Sequence, residues 1–389
     1  MHSDSTIYSL KPPKKRLAVF LDGTWNAVGT NTNVWRLRCL CESDCEDAAQ
    51  LRYYDAGVNG VFGGGFGKGL SDNVREAYDW IVEHYEDGDE IFIFGFSRGA
   101  FTARSLAGLI ATLGLLKPGG PLGADQLYSR YRMADTDRTI FRLRGGLPDT
   151  TKEEELLLKY SREAEIKMVG VWDTVGALGV AVPGLPGIGS AKFRFHHTGL
   201  RRPIQNAYHA VAIDEHRKKF LPTLWTVRTP PGQPPSPTRP ISSVEQRWFV
   251  GAHANVGGGC QSDLLAQIPL RWMMRKASAL GLRFRNDLDL DGSEALDSIS
   301  DSYAEFLHGI YRFFSRRHHR PVGAVPRVGP DGTHTVVNET IDTSVFERWR
   351  TFSDYRPPSL VEWATRYGTD PDTLTYSVSA TDPARPIAD

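Results

Sequence analysis

The sequence predicts an α/β fold, a doubly wound and mostly parallel sheet flanked by helices, and three observations predict it. "RLAVFL" and "IFIFGF" are short, continuous apolar runs of the kind buried on both faces of a parallel sheet. "SDNVREAYDWIVEHY", between them, places Val74, Ala77, Tyr78, Ile81, Val82 and Tyr85 on one helical face. "RGAFTARSLAGLIATLG" then reads as a second helix, ending near Gly114. Strand, helix, strand, helix is the rhythm that builds parallel sheets through crossover connections.

Taken in order, the first strand runs through "RLAVFLDGT" and stops at Asp22-Gly23. "GVNGVFGGGFGKGL", Gly57 to Leu70, is a loop by composition, and Ser71, Asp72 and Asn73 supply cap-type residues before the helix. "EDGDE" turns the chain into the second strand. The charged stretch of about 115–165, clearest from Pro118 to Glu165, reads as a partly helical insertion. "IKMVGVWDTVGALG" is a strand ending at Asp173, and "VAVPGLPGIG" is an apolar loop after it. "IQNAYHAVAIDEHR" reads as a helix carrying His209, Asp214 and Glu215, and "LPTLW" as the start of a strand. "TPPGQPPSPTRP", Thr229 to Pro240, is a surface loop because proline runs admit no regular structure. "EQRWFVGAH" is a strand stopping at His253, and "SDLLAQIPLRWMMRKASALG" is a helix. The expected organisation is a tail, 1–14, and one domain, 15–389, with a C-terminal extension at 286–389 that is the least readable part.

Composition narrows the function. A chain of 389 residues buries a sizeable core, and 46 basic against 46 acidic residues gives no charge-based reason to expect nucleic acid. No apolar run approaches the roughly 18 residues of a membrane span. The N-terminal residues lack a secretory h-region, so a cytoplasmic location is expected, although non-Sec export leaves no such mark. Cys39, Cys41 and Cys45 crowd together and Cys260 stands apart, a spacing that fits paired zinc knuckles poorly, so no metal is expected.

Gly95-Phe96-Ser97-Arg98-Gly99 fits G-x-S-x-G, with a buried strand before it and a helix after it. That context lifts a serine hydroxyl above a sheet on a strained turn, and the glycines let neighbouring backbone approach. An ordinary helix N-cap serine would leave both glycines unexplained. Ser97 is therefore the candidate nucleophile. A base and an orienting acid should follow in the order acid, histidine, each beyond the C-terminal end of a strand. Asp173 and His253 satisfy both order and placement. His196 and His197, in a loop, are weaker candidates, as are His209, Asp214 and Glu215. The oxyanion donors expected are the backbone N–H groups of Arg98 and of Gly23 or Thr24.

Three lookalikes fail on their own residues. "DGT" suggests a dehalogenase-type phosphatase, but Phe20 stands where its nucleophilic aspartate should be. The glycine loop departs from a P-loop because Gly69 follows Lys68 and Phe62 takes the first glycine position. "DLDLDGSEALDS" begins like a calcium loop at Asp287, Asp289 and Asp291, yet its twelfth position is Ser298, so an acidic turn is expected.

"LDGTWN", "YYDAGV", "GDEIFIFGFSRGAFTAR", "VGVWDTVGALG", "HAVAIDEHR" and "FVGAHANVGGG", in this order from about Lys15 to Arg275, resemble the catalytic domain of type VI secretion phospholipase effectors of the first lipase class. The resemblance implies an α/β-hydrolase-like fold, Ser97, Asp173 and His253 as the triad, and hydrolysis of carboxylic esters, with acyl chains of glycerophospholipids as the substrate class. It implies no cofactor. An acyl ester or phospholipid is the expected substrate, with peripheral contact to membrane lipid, and the insertion and the apolar loop Val180 to Ile188 are candidate lids. Two alternatives stand beside it: a soluble carboxylesterase or thioesterase acting on small acyl substrates, and a binding protein on a hydrolase fold. Oligomeric state is not legible.

Overall fold

Residues Arg16–Leu21 (β1) are buried throughout, and their side chains divide between two cores. Leu17, Val19 and Leu21 pack with α2 (Phe66–His84) and α3 (Arg98–Leu113), while Ala18 and Phe20 pack with α1 (Asn33–Leu40) and α4 (Gln267–Ala279). Burial on both faces explains why the apolar runs show no alternation. The structure, a computed structural model, describes residues 14–387 except 24–29, 44, 46, 58–65, 134–137, 176–198, 261–262, 306–315 and 324–325. The loop Val180 to Ile188, His196, His197 and Thr24 lie outside the described residues.

The central sheet joins β1 with β2 (Gln50–Asp55), β3 (Glu90–Phe96), β4 (Ile166–Trp172), β5 (Ile204–Ala212), β6 (Val244–Phe249), β7 (Glu339–Ile341), β8 (Val378–Ser379) and β9 (Asp382–Pro386). Among the described residues its order is β2-β1-β3-β4-β5-β6-β7-β8-β9. Strands β1 to β7 pair in parallel, and β8 and β9 close one edge antiparallel. This is the doubly wound, mostly parallel α/β sheet expected from the βαβ rhythm. The last three strands and a third core around Trp248, Phe346 and Trp363 tie residues beyond 320 into the same sheet.

Three expectations need correction. "IQNAYHAVAIDEHR" is not a helix: Ile204–Ala212 form β5, and His209 lies within it while Asp214 and Glu215 follow its C-terminal end. Ala207 to Ala212 are all buried, so the strand carries no alternation, and its three alanines read as helix formers. Helix α2 begins at Phe66, before the cap residues Ser71 to Asn73, so part of the glycine loop is helical. Strand β6 stops at Phe249 rather than His253, which opens the short helix His253–Gly257.

The insertion is pinned at its neck by antiparallel pairing of Leu115–Leu116 with Ser161–Arg162. Its Leu127, Tyr128, Tyr131, Ile140, Leu143 and Leu157 join the core on the α2 and α3 side. The sixteen residues of α3 carry the chain about 24 Å along the helix axis before that neck is reached. The insertion is therefore built into the far end of the sheet, not poised over Ser97.

Candidate active site

Because β2 and β3 lie on opposite sides of β1, connections leave β1 and β3 in opposite directions, opening a crevice at their carboxyl ends. Asp22 follows β1 there and Ser97 follows β3. Ser97 holds φ 57° and ψ −118°, a conformation that a side chain disfavours. Its backbone N–H donates to Trp172 O at 3.1 Å, and its hydroxyl makes no capping bond to α3. The neighbouring glycines are sterically required. A Cβ on Gly95 would stand 2.4 Å from Gly99 O, and one on Gly99 would stand 2.1 Å from Leu21 O.

The three atoms nearest that Cβ position on Gly99, Leu21 O, Asp22 O and Asp22 C, are all backbone and cannot yield cheaply. Gly99→Ala should lower the unfolding free energy by at least the ~1–3 kcal/mol of an overpacked core. Urea denaturation measures this, with Gly123→Ala as the control because nothing lies within 4 Å of its added methyl.

The structure brings Ser97, His253 and Asp173 together. His253 Nε2 lies 2.9 Å from Ser97 Oγ, and Nδ1 lies 2.5 Å from Asp173 Oδ2. All three residues are buried, Asp173 completely. Two aromatic rings fix the imidazole: Phe96 with its centroid at 4.7 Å and Phe220 edge-on at 5.1 Å. Gly257 makes room for Phe96, since a Cβ there would fall 1.9 Å from its ring.

Asp173 meets one group that sequence reasoning missed. Arg320, from the C-terminal extension, donates Nη1–H to Oδ1 at 2.6 Å and Nη2–H to Oδ2 at 3.0 Å. The Ala212 N–H also reaches Oδ1, at 3.0 Å. Burial alone would raise the Asp173 pKa, but the Arg320 charge, with the His253 contact, outweighs it and holds the carboxyl well below the usual range.

The residues after β5 brace the histidine loop through its backbone. Asp214 Oδ2 accepts from Gly251 N–H at 2.7 Å and from Tyr355 Oη–H at 3.0 Å. Glu215 Oε2 accepts from His253 N–H at 3.3 Å and from Ser302 Oγ–H at 2.8 Å, while Arg217 pairs with the same carboxylate. Neither carboxylate hydrogen-bonds the His253 ring. Asp214→Asn keeps an oxygen to accept from Gly251, so turnover should stay within a few-fold of wild type in a direct rate assay.

His209 is fully buried on β5, its Nε2 accepting from Thr174 N–H at 3.0 Å. Burial, helped by the Arg104 charge, pushes its pKa down to about 3, against an unfolded value near 6.5. Between these values the unfolded chain binds a proton that the folded one refuses, so stability falls as pH falls. The slope is at most ~1.4 kcal/mol per pH unit. Denaturant titrations from pH 6.5 to 4.5 should show His209→Gln losing less stability than wild type on acidification.

The oxyanion candidates fare differently. Arg98 opens α3, where first-turn N–H groups have no partner within the helix. The Gly23 N–H donates to Asp22 Oδ1 at 2.8 Å, so that donor is engaged. Asp22 Oδ2 accepts from Thr32 Oγ1–H and Tyr54 Oη–H, which fastens the loop after β1 to α1 and β2. Among the described residues no group of three or more His, Cys, Asp or Glu side chains is disposed to hold a metal ion. All four cysteines are free thiols, and the "DLDLDG" stretch is irregular and leads into a short 3₁₀ helix, Ser293–Leu296.

Comparison with known proteins gives one family and several distant relatives. The family described as "T6SS, Phospholipase effector Tle1-like, catalytic domain" matches residues 15–276. A Saccharomyces cerevisiae protein, "Uncharacterized protein YEL023C", is 28% identical over 236 residues, covering 54% of this chain and 33% of its own length. Among solved structures, an uncharacterized Pseudomonas aeruginosa protein aligns with TM-score 0.41 and 16% identity, over 74% of this chain and 49% of the other. The structure of the Tle1 effector bound to the VgrG spike from the type 6 secretion system aligns with TM-score 0.33 and 18% identity, over 67% and 55%. This chain therefore spans about half or less of the length of each relative.

Proposed function

Because the chain belongs to the family of Tle1-like phospholipase effector catalytic domains, we propose that it is a serine hydrolase that cleaves carboxylic esters of phospholipids through Ser97, His253 and Asp173. One observation carries the serine mechanism: the unbroken hydrogen-bond chain from Ser97 Oγ through His253 to Asp173, at the carboxyl-end crevice of the sheet. His253 Nε2 removes the Ser97 proton as Oγ attacks the ester carbonyl, and Asp173 holds the Nδ1–H tautomer. The proton then passes to the leaving alkoxide, and water activated by the same imidazole releases the acid. Arg98 N–H is the first oxyanion donor. The second comes from the Gly23-Thr24 stretch, Gly23 serving only once it releases Asp22.

No cofactor enters this scheme. Among the described residues no helix is long and apolar enough to cross a membrane, so lipid would be met from one side, as a peripheral contact. The lipid assignment rests on family membership. Activity measured across the micelle threshold of a short-chain phospholipid tests it. A lipid-active enzyme should gain sharply as monomers become micelles. Saturation on dissolved short-chain esters with no gain at the threshold would assign the soluble carboxylesterase or thioesterase instead.

A further inference from the structure

We propose that Arg320 is a positioning residue for the acid of this site, holding the Asp173 carboxylate in the one orientation that turns Oδ2 toward His253. The inference rests on the serine-hydrolase reading and concerns a residue beyond the segment, 15–276, that the family match covers.

The geometry carries it. Asp173 sits at φ 37° just past β4, where its short side chain pivots on two torsions. One N–H, from Ala212, steadies Oδ1. The Arg320 guanidinium adds a two-pronged grip on both oxygens, fixing the carboxylate plane as a single donor cannot. The same guanidinium is held by two carbonyls, Ala212 O at 2.6 Å from Nη1 and Phe220 O from Nη2. One group thus ties together the acid, the end of β5 and the residue whose ring edges against His253. The backbone on either side of Arg320 is anchored, since His318 N–H donates to His216 O at 2.9 Å and Gly323 N–H to Glu339 Oε2 at 3.1 Å.

Stability alone is a weak reason for this pair. Two fully buried charges lose their hydration, and packed apolar residues often serve as well. What apolar residues cannot do is aim a carboxylate.

The test compares the full-length wild type with Arg320→Met and Arg320→Lys, measuring kcat and KM on a dissolved p-nitrophenyl ester, with thermal unfolding alongside. Arg320→Met should lose on the order of 10² in kcat, the scale of a catalytic group misplaced by about an ångström, with KM little changed. Arg320→Lys retains the charge but not the fork, so kcat should recover in part. A folded Arg320→Met variant with wild-type kcat overturns the proposal. Should Arg320→Met fail to fold, Arg320→Lys decides: a lowered kcat supports the fork, and an unchanged kcat overturns it. A wild type without ester turnover, and without covalent labelling of Ser97, overturns the hydrolase reading and this role together, a result distinct from an active wild type indifferent to residue 320.

Discussion

Ser97→Ala and His253→Ala should each reduce ester turnover by several orders of magnitude in a protein that still unfolds cooperatively. Without the hydroxyl there is no acyl-enzyme, and without the imidazole the hydroxyl at 2.9 Å has no group to take its proton. Because nucleophile and base act as one unit, the double variant should cost little more than either single one. Rates that multiplied strictly would mean that the two side chains act independently and that their contact is incidental. Stability should change little for Ser97→Ala, since that hydroxyl caps no helix.

Asp173→Asn should lower kcat by on the order of 10⁴, the size expected when the amide stabilises the wrong imidazole tautomer. Here the substitution carries a second cost. Arg320 is 1% exposed and faces Asp173 with two N–H groups, so a neutral partner leaves a buried cation uncompensated, worth about 3–5 kcal/mol of stability. Activity should therefore be compared at a temperature where the variant is shown to be folded. Asp214→Asn is the matched control, because its carboxylate serves only the Gly251 and Tyr355 donors. If Asp214→Asn lost 10⁴ and Asp173→Asn did not, the acid would be misassigned.

How far the sequence could be read follows from what each feature depends on. The nucleophile turn is local: strand, two glycines, serine and helix occupy consecutive residues, and the clashes predicted for Gly95 and Gly99 are those found. Asp173 and His253, which the structure brings to Ser97, stand out for the same reason, each lying just beyond an apolar run. Strand β5 does not. It is buried on both faces and built partly from alanine, so neither period 2 nor β-branched content marked it, and His209, Asp214 and Glu215 were misplaced with it. Arg320 had no local signal at all. It is one of three arginines in "SRRHHRPV", and long-range contacts, His318 with His216 and Gly323 with Glu339, bring that segment to the acid. The candidate oxyanion loop falls between these cases: Gly23 lies just after β1 as expected, but the Asp22 carboxylate that takes up its N–H depends on side-chain geometry that no spacing encodes.

Activation of Ser97 by His253 can be measured by covalent labelling with a fluorophosphonate probe followed by peptide mass analysis. One adduct per chain is expected on the peptide bearing Ser97, none there in Ser97→Ala, and labelling should slow by orders of magnitude in His253→Ala. A folded protein that acquires no adduct at Ser97, or labels as fast without His253 as with it, would rule out Ser97 as a nucleophile activated by His253.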